Sequence, residues 1–222
     1  MRQVVQALFD RQKTNQRAMH AAIVTMSFLS FLSIGLSLLL TPKGANFSYQ
    51  FISDNGLNTY FSSFLLCSAS VFMFATYTSE SIRGSDNNWN WLVLSIAFAF
   101  LSIDEIFQVH EQIGSYLTNA AWPSPFSNWT DLMPMVYGIV AIPMLWIMMP
   151  KLLHIRSLPE LLAVAFLFYL AHTLADALVR HNSEFTHVTE ESLKLFSSTY
   201  LALAGYASLI WTIDRPGKRR VG

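Results

Sequence analysis

Between Leu101 and Glu111 an apolar stretch carries Asp104 and Glu105 side by side, with Gln108, His110 and Glu111 just beyond. Adjacent carboxylates inside such a stretch are hard to explain as packing, because ionisable groups in apolar surroundings are expensive. On a continuous helix, Asp104, Gln108 and Glu111 share one face, Glu105 flanks it, and His110 points roughly 120° away. A second stretch carries Tyr169, His172, Asp176 and Arg180, the last three spaced as one helical stripe. A third begins with Glu190, Glu191 and Lys194 and continues into Ser197 and Ser198.

Carboxylates and imidazoles without thiolates are ligands for zinc, manganese or iron. Asp104, His110, His172, Asp176, Glu190 and Glu191 are the expected ligands of one or two divalent ions, which would also neutralise the acids. Glu105 or Glu111 is the expected general base, activating a metal-bound water against an ester or amide. The single cysteine, Cys67, excludes an internal disulfide and a cysteine-based metal cluster. A helical di-iron centre needs paired Glu-x-x-His motifs, and only Glu184-x-x-His187 has that spacing.

Membrane helices are the elements that must position these groups. The chain has 222 residues, 53% hydrophobic and 13% charged, with 14 Lys and Arg against 14 Asp and Glu. That is about half the charge of an average soluble domain, which excludes disorder, coiled coil and nucleic-acid binding. Six stretches reach the length of about 20 apolar residues that a bilayer requires. They are Ala21–Leu40, Tyr60–Tyr77, Trp91–Gln108, Leu132–Met149, Leu158–Leu178 and Leu193–Ile213. The expected organisation is a tail at 1–20, a six-helix membrane domain at 21–213 and a basic tail at 214–222. The first tail is either an amphipathic surface helix or a solvated segment.

Eleven of the 14 Lys and Arg fall on one side of such a six-span chain, including Arg83, Lys151, Arg156 and both tails. The positive-inside rule then places both termini in the cytoplasm of a bacterial inner (plasma) membrane. The opposite side holds Lys43, Arg180 and Lys194 against nine acids. Asp104 follows Trp91 by 13 residues, about 20 Å up the span and in its outer half. His172 lies at a similar height. Spans three, five and six therefore bring their polar groups together at the outer face, while the inner halves read as apolar. Polar groups there would instead favour transport.

Several residues carry plainer readings. Glu190 and Glu191 are either first-turn acids favoured by a helix dipole or members of the site. Glu184, His181 and His187 read as loop residues. Asp131 and Glu160 read as caps, Glu160 within a capping box opened by Ser157. Ser102 reads as a backbone-bonding serine. The segment from Gln112 to Thr130 is either a lid or a connector.

The string Ser102-x-Asp104-Glu105 with His110-Glu111, followed by Glu190-Glu191, resembles a pattern in bacterial polytopic membrane proteins of unassigned activity. A weaker likeness is to alkaline ceramidase-like membrane hydrolases. Those use Ser, Asp and three His around zinc in seven spans. Ser102, Asp104, His110 and His172 match in type, whereas this chain has six spans and lacks a His-x-x-x-His pair in the last. The resemblance implies a zinc-dependent hydrolase. The combined expectation is an all-α, six-span membrane protein with an outward carboxylate and histidine site, acting on a lipid or lipid-linked substrate. Its alternatives are an ion- or proton-coupled transporter and a non-catalytic subunit.

Overall fold

The computed structural model describes residues 2–52, 56–85, 88–119, 132–155, 157–178 and 184–215, with the side chains of 2–13, 52, 119, 132–135 and 176–178 left out. All regular structure among them is helical: α1 (Arg2–Leu39), α2 (Tyr49–Ile52), α3 (Leu57–Ile82), α4 (Trp89–Phe107), α5 (Val109–Asn119), α6 (Leu132–Leu152), α7 (Leu158–Leu178) and α8 (Glu184–Asp214). Among the described residues, five helical stretches are long and apolar enough to cross a membrane: Thr14–Leu39, Leu57–Ile82, Trp89–Phe107, Leu158–Ala175 and Glu184–Asp214. The remaining expected span is α6, whose described apolar part, Val136–Leu152, is shorter. Residues 2–20 are helical and run into the first apolar stretch within α1 without a break.

Hydroxyl contacts fix the helix directions. Ser62 and Ser198 meet at 2.7 Å and Thr76 and Ser208 at 3.3 Å, so α3 and α8 run parallel. Ser63 bonds Ser102 at 2.9 Å and Ser70 bonds Ser95 at 3.2 Å, so α4 is antiparallel to α3. Ser197 donates to the Ala165 carbonyl of antiparallel α7, and Ser30 meets Thr199 across α1 and α8. Consequently α1, α4 and α7 finish at the end of the bundle where α3, α6 and α8 begin. This is the up-and-down order that places the three charged stretches at one level.

Small side chains make the contacts close. A Cβ at Gly205 would lie 3.2 Å from both the Ala69 carbonyl oxygen and the Phe72 Cβ. Close approach of this kind, with hydroxyls bonding across, is how helices associate where water supplies no hydrophobic drive. Leu66, Ala69, Met73, Trp91, Leu94, Phe98 and Leu203 form one buried apolar cluster with Met148, Leu152 and Leu158.

The bundle departs from the expected spans at two places. The helix expected through Glu111 stops at Phe107, because Gln108 is left-handed, with φ 48 and ψ 44. The last helix begins at Glu184, well before Leu193. Glu190 and Glu191 are therefore not first-turn acids, and Thr189 donates to the Phe185 carbonyl inside the helix. Ser157 precedes α7 at φ 69, so it lacks the extended backbone of a capping-box residue. The expected cap at Asp131 and most of the expected lid lie outside the described residues, although 109–119 is helical.

Candidate functional site

The break at Gln108 builds the first half of the site. A continuous helix would aim His110 away from Asp104; the left-handed turn folds it back. Asp104, 5% exposed, accepts the backbone N–H of His110 at 2.9 Å through Oδ1. Its Oδ2 lies 2.9 Å from His110 Nδ1. The carboxylate thus satisfies one of the unpaired N–H groups in the first turn of α5 and pins the imidazole as well. The Gln112 amide donates to the Phe107 carbonyl at 2.7 Å, which satisfies an acceptor freed by the break.

With Nδ1 held by Asp104, Nε2 is the atom left to exchange a proton. It lies 3.9 Å from Glu111 Oε1, and Glu111, with its side chain 50% exposed, forms the rim. His110 lies beyond the apolar span. Burial opposes its charge, but the hydrogen bond and charge of Asp104, aided by Glu111, outweigh burial and raise its pKa above 6.5. Lys194 works in the opposite sense.

The second half is an ion-paired triad. Lys194 Nζ lies 3.1 Å from Glu105 Oε1 and 2.8 Å from Glu191 Oε1. Glu191 and Lys194 are one turn apart on α8, and Glu105 reaches them from α4. The ammonium occupies the place between two carboxylates that a dication would take. Among the described residues, no three His, Cys, Asp or Glu side chains group closely enough to hold a metal ion.

Helices α6 and α7 complete the walls. His172 lies within the electrostatic reach of Lys194 and His110 and contacts the backbone of Glu190. Its Nδ1 is buried and finds no hydrogen-bond partner among the described residues. Tyr137 and Tyr169 both face the field of Asp104, and the Tyr169 ring stands 6.3 Å from that of His172. On α8, Glu184 shares a stripe with Glu191 and Lys194. Its Oε2 is also buried without a partner among the described residues.

The sequence-predicted residues therefore divide. Asp104 and His110 form one pair, Glu105 and Glu191 hold Lys194, and His172 and Glu190 meet beside them. Glu111 stands at the rim, and the side chain of Asp176 lies outside the described residues. Ser102 hydrogen-bonds Ser63 and its carbonyl, so it belongs to the helix contact. Glu184 and His187 are helical and not loop residues. Lys194 stands in the sequence only as a cation beside two acids, and Tyr137 carries no signal beyond its place in an apolar helix.

The other half of the bundle is less apolar than the sequence reading held. Thr76, Glu80, Asn90, Ser208 and Thr212 are all buried there. Glu80 feels the charge of Lys151, and Arg83 donates to the carbonyls of Thr212 and Ile213. Between the two polar ends, Ala69 and Met73 pack against Gly205 and Leu203 and close the middle.

Fold and site together define an all-helical membrane protein with a charged, partly buried centre at one end of its bundle. Over residues 18–209 the chain matches the family described as "Domain of unknown function (DUF8692)", and it belongs to that family. No curated protein and no solved structure matches it.

Proposed function

We propose that this protein is an integral membrane enzyme whose acid–base centre handles the polar part of a lipid or lipid-linked substrate. The observation that carries the reading is the Asp104–His110 pair, with one imidazole nitrogen fixed and the other presented toward the rim. A carboxylate on Nδ1 sets the tautomer and leaves Nε2 as the base. In hydrolysis, Nε2 takes a proton from water as the water oxygen bonds to an ester or amide carbonyl carbon. It then returns the proton to the leaving alcohol or amine. Glu111 is positioned to relay that proton, and Glu105 and Glu191 hold Lys194 in place.

The excess of Lys and Arg on the far side supports six spans, cytoplasmic termini and an outward-facing site in a bacterial inner membrane. Among the described residues, no three His, Cys, Asp or Glu donors converge on one point. A zinc, manganese or iron ion would have to displace Lys194. Metal analysis of wild type beside Glu105→Gln tests that binding: stoichiometric metal lost in the variant supports it.

Wild-type protein in vesicles of its host's lipid extract is expected to consume a lipid and release a product detectable by mass spectrometry. Asp104→Asn and His110→Gln are each expected to lose roughly a hundredfold or more of that rate. Turnover that survives both substitutions would overturn the reading. The buried Glu80 beside Lys151 favours ion- or proton-coupled transport as a second reading. Its mark is substrate-dependent proton movement in sealed vesicles, abolished by Glu80→Gln.

A further inference from the structure

The start of α3 holds buried polar groups that belong to neither the acid–base centre nor the hydroxyl contacts between helices. Gly56 is the N-cap of α3, no side chain bonds the cap, and the first turn holds no acid. The first N–H groups of a helix have no partner within it. Over the 26 residues of α3 the peptide dipoles add to a positive end at that point, which favours an anion. Asn58, Ser37 and Ser48 stand around it, 1%, 0% and 0% exposed. Asn58 Nδ2, Ser37 Oγ and Ser48 Oγ find no hydrogen-bond partner among the described residues.

Printed contacts bring these groups together. Ser33 donates to Asn58 Oδ1 at 2.8 Å, which leaves Nδ2 as the free end of that amide. Ser37 is one turn beyond Ser33, about 6 Å further along α1. Because α1 finishes where α3 begins, that step carries Ser37 past Asn58 to the open first turn of α3. Thr41 donates to the Ser37 carbonyl at 3.1 Å and to the Phe47 carbonyl at 3.5 Å, so Ser48 follows at the same end. Those carbonyls are thus occupied, and the unpaired atoms are two hydroxyls and an amide nitrogen that can only donate. Donors about 6 Å apart both reach a single atom set between them, at roughly 3 Å from each. The α8 residue opposite Asn58 is a cation, Lys194, since each lies four residues before the Ser62–Ser198 contact.

We propose that the start of α3 binds a small monatomic anion such as chloride. Asn58 Nδ2, the hydroxyls of Ser37 and Ser48 and the free N–H groups of the first turn donate to it. A single atom accepts from several donors at once, and side chains this deeply buried leave no opening for a polyatomic anion such as phosphate. The bound anion ties the end of α1 and the segment before α2 to α3. It uses no residue of the acid–base centre and stands independently of the enzyme reading.

The test exchanges the purified full chain into sodium gluconate and follows thermal unfolding while chloride replaces gluconate at constant ionic strength. A saturable rise in melting temperature is expected with chloride and again with bromide. Asn58→Asp keeps the shape of the side chain but puts a negative oxygen in place of the donor, and is expected to abolish the rise. Ser37→Ala is expected to weaken the apparent chloride affinity about tenfold, equivalent to 1.4 kcal/mol. Ser62→Ala, away from the site, is expected to leave that affinity unchanged. Where Asn58→Asp fails to fold, Ser37→Ala decides. The absence of a chloride-dependent rise overturns the proposal and leaves a water as the occupant. An affinity in Ser37→Ala equal to that of wild type overturns it as well, because the halide then binds elsewhere.

Discussion

The hydroxyl seam between α3, α4 and α8 and the charged end of the same helices are both buried and both polar. In the seam, four hydroxyl pairs answer one another, Ser62 with Ser198, Ser63 with Ser102, Ser70 with Ser95 and Thr76 with Ser208, although Asn58 Nδ2, Asn90 Oδ1 and Thr212 Oγ1 elsewhere on these helices find no partner among the described residues. At the charged end, His172 Nδ1 and Glu184 Oε2 find no answer among the described residues, and His110 keeps Nε2 turned to the rim. Mutual satisfaction is what helix packing needs, and more of it would add little. Unsatisfied acceptors at a cost of several kcal/mol in apolar surroundings are what a binding or reacting group would relieve.

Substitutions can break this contrast in a graded way. The largest stability loss is expected at Lys194→Met, which leaves Glu105 and Glu191 facing each other without their shared cation. Removing one partner of a buried pair costs about 3 kcal/mol or more. The check is thermal unfolding in detergent, and adding Glu105→Gln to Lys194→Met should restore part of the loss. A loss equal to that of a surface lysine would mean the triad is open to water.

Gly205→Leu comes next. Its side chain would meet the Ala69 backbone and Phe72, where even a Cβ has only 3.2 Å. Overpacking of this kind costs about 2 kcal/mol. The same melts should show it. Smaller still, Ser62→Ala or Ser70→Ala should cost about 0.6 kcal/mol each, the usual value of an interhelical hydrogen bond in a membrane. A much larger loss would show that the seam does more than hold helices together.

The smallest effect is a pH dependence. His110 has a raised pKa in the folded state, so protonation stabilises the fold. That contribution is fully present below its ordinary value near 6.5 and fades as pH rises through the raised one. Wild type should therefore exceed His110→Gln in melting temperature at mildly acidic pH, with the gap narrowing toward alkaline pH. A gap that widens with rising pH would mean Asp104 holds the neutral ring in preference to the charged one.

The sequence made the helical architecture legible because apolar runs of bilayer length have few other outcomes. The level of Asp104, His172 and Glu191 also followed from rise per residue and alternating direction. The turn that joins Asp104 to His110 did not. A left-handed residue is usually announced by glycine or asparagine, and Gln108 announces nothing. The early start of α8 was hidden because Glu184 to Glu191 is too polar to read as part of a span. The seam was equally hidden, since Ser62 and Ser198 are unremarkable alone and acquire meaning only once α3 and α8 are in register.

The direct test of the account compares two neighbours on α4. Ser102 points into the seam and Asp104 into the charged end, two residues apart. In the lipid-turnover assay, Ser102→Ala should retain the wild-type rate within about twofold, while Asp104→Asn should lose roughly a hundredfold or more. Equal loss in both would place the serine in the chemistry and contradict the division drawn between seam and site.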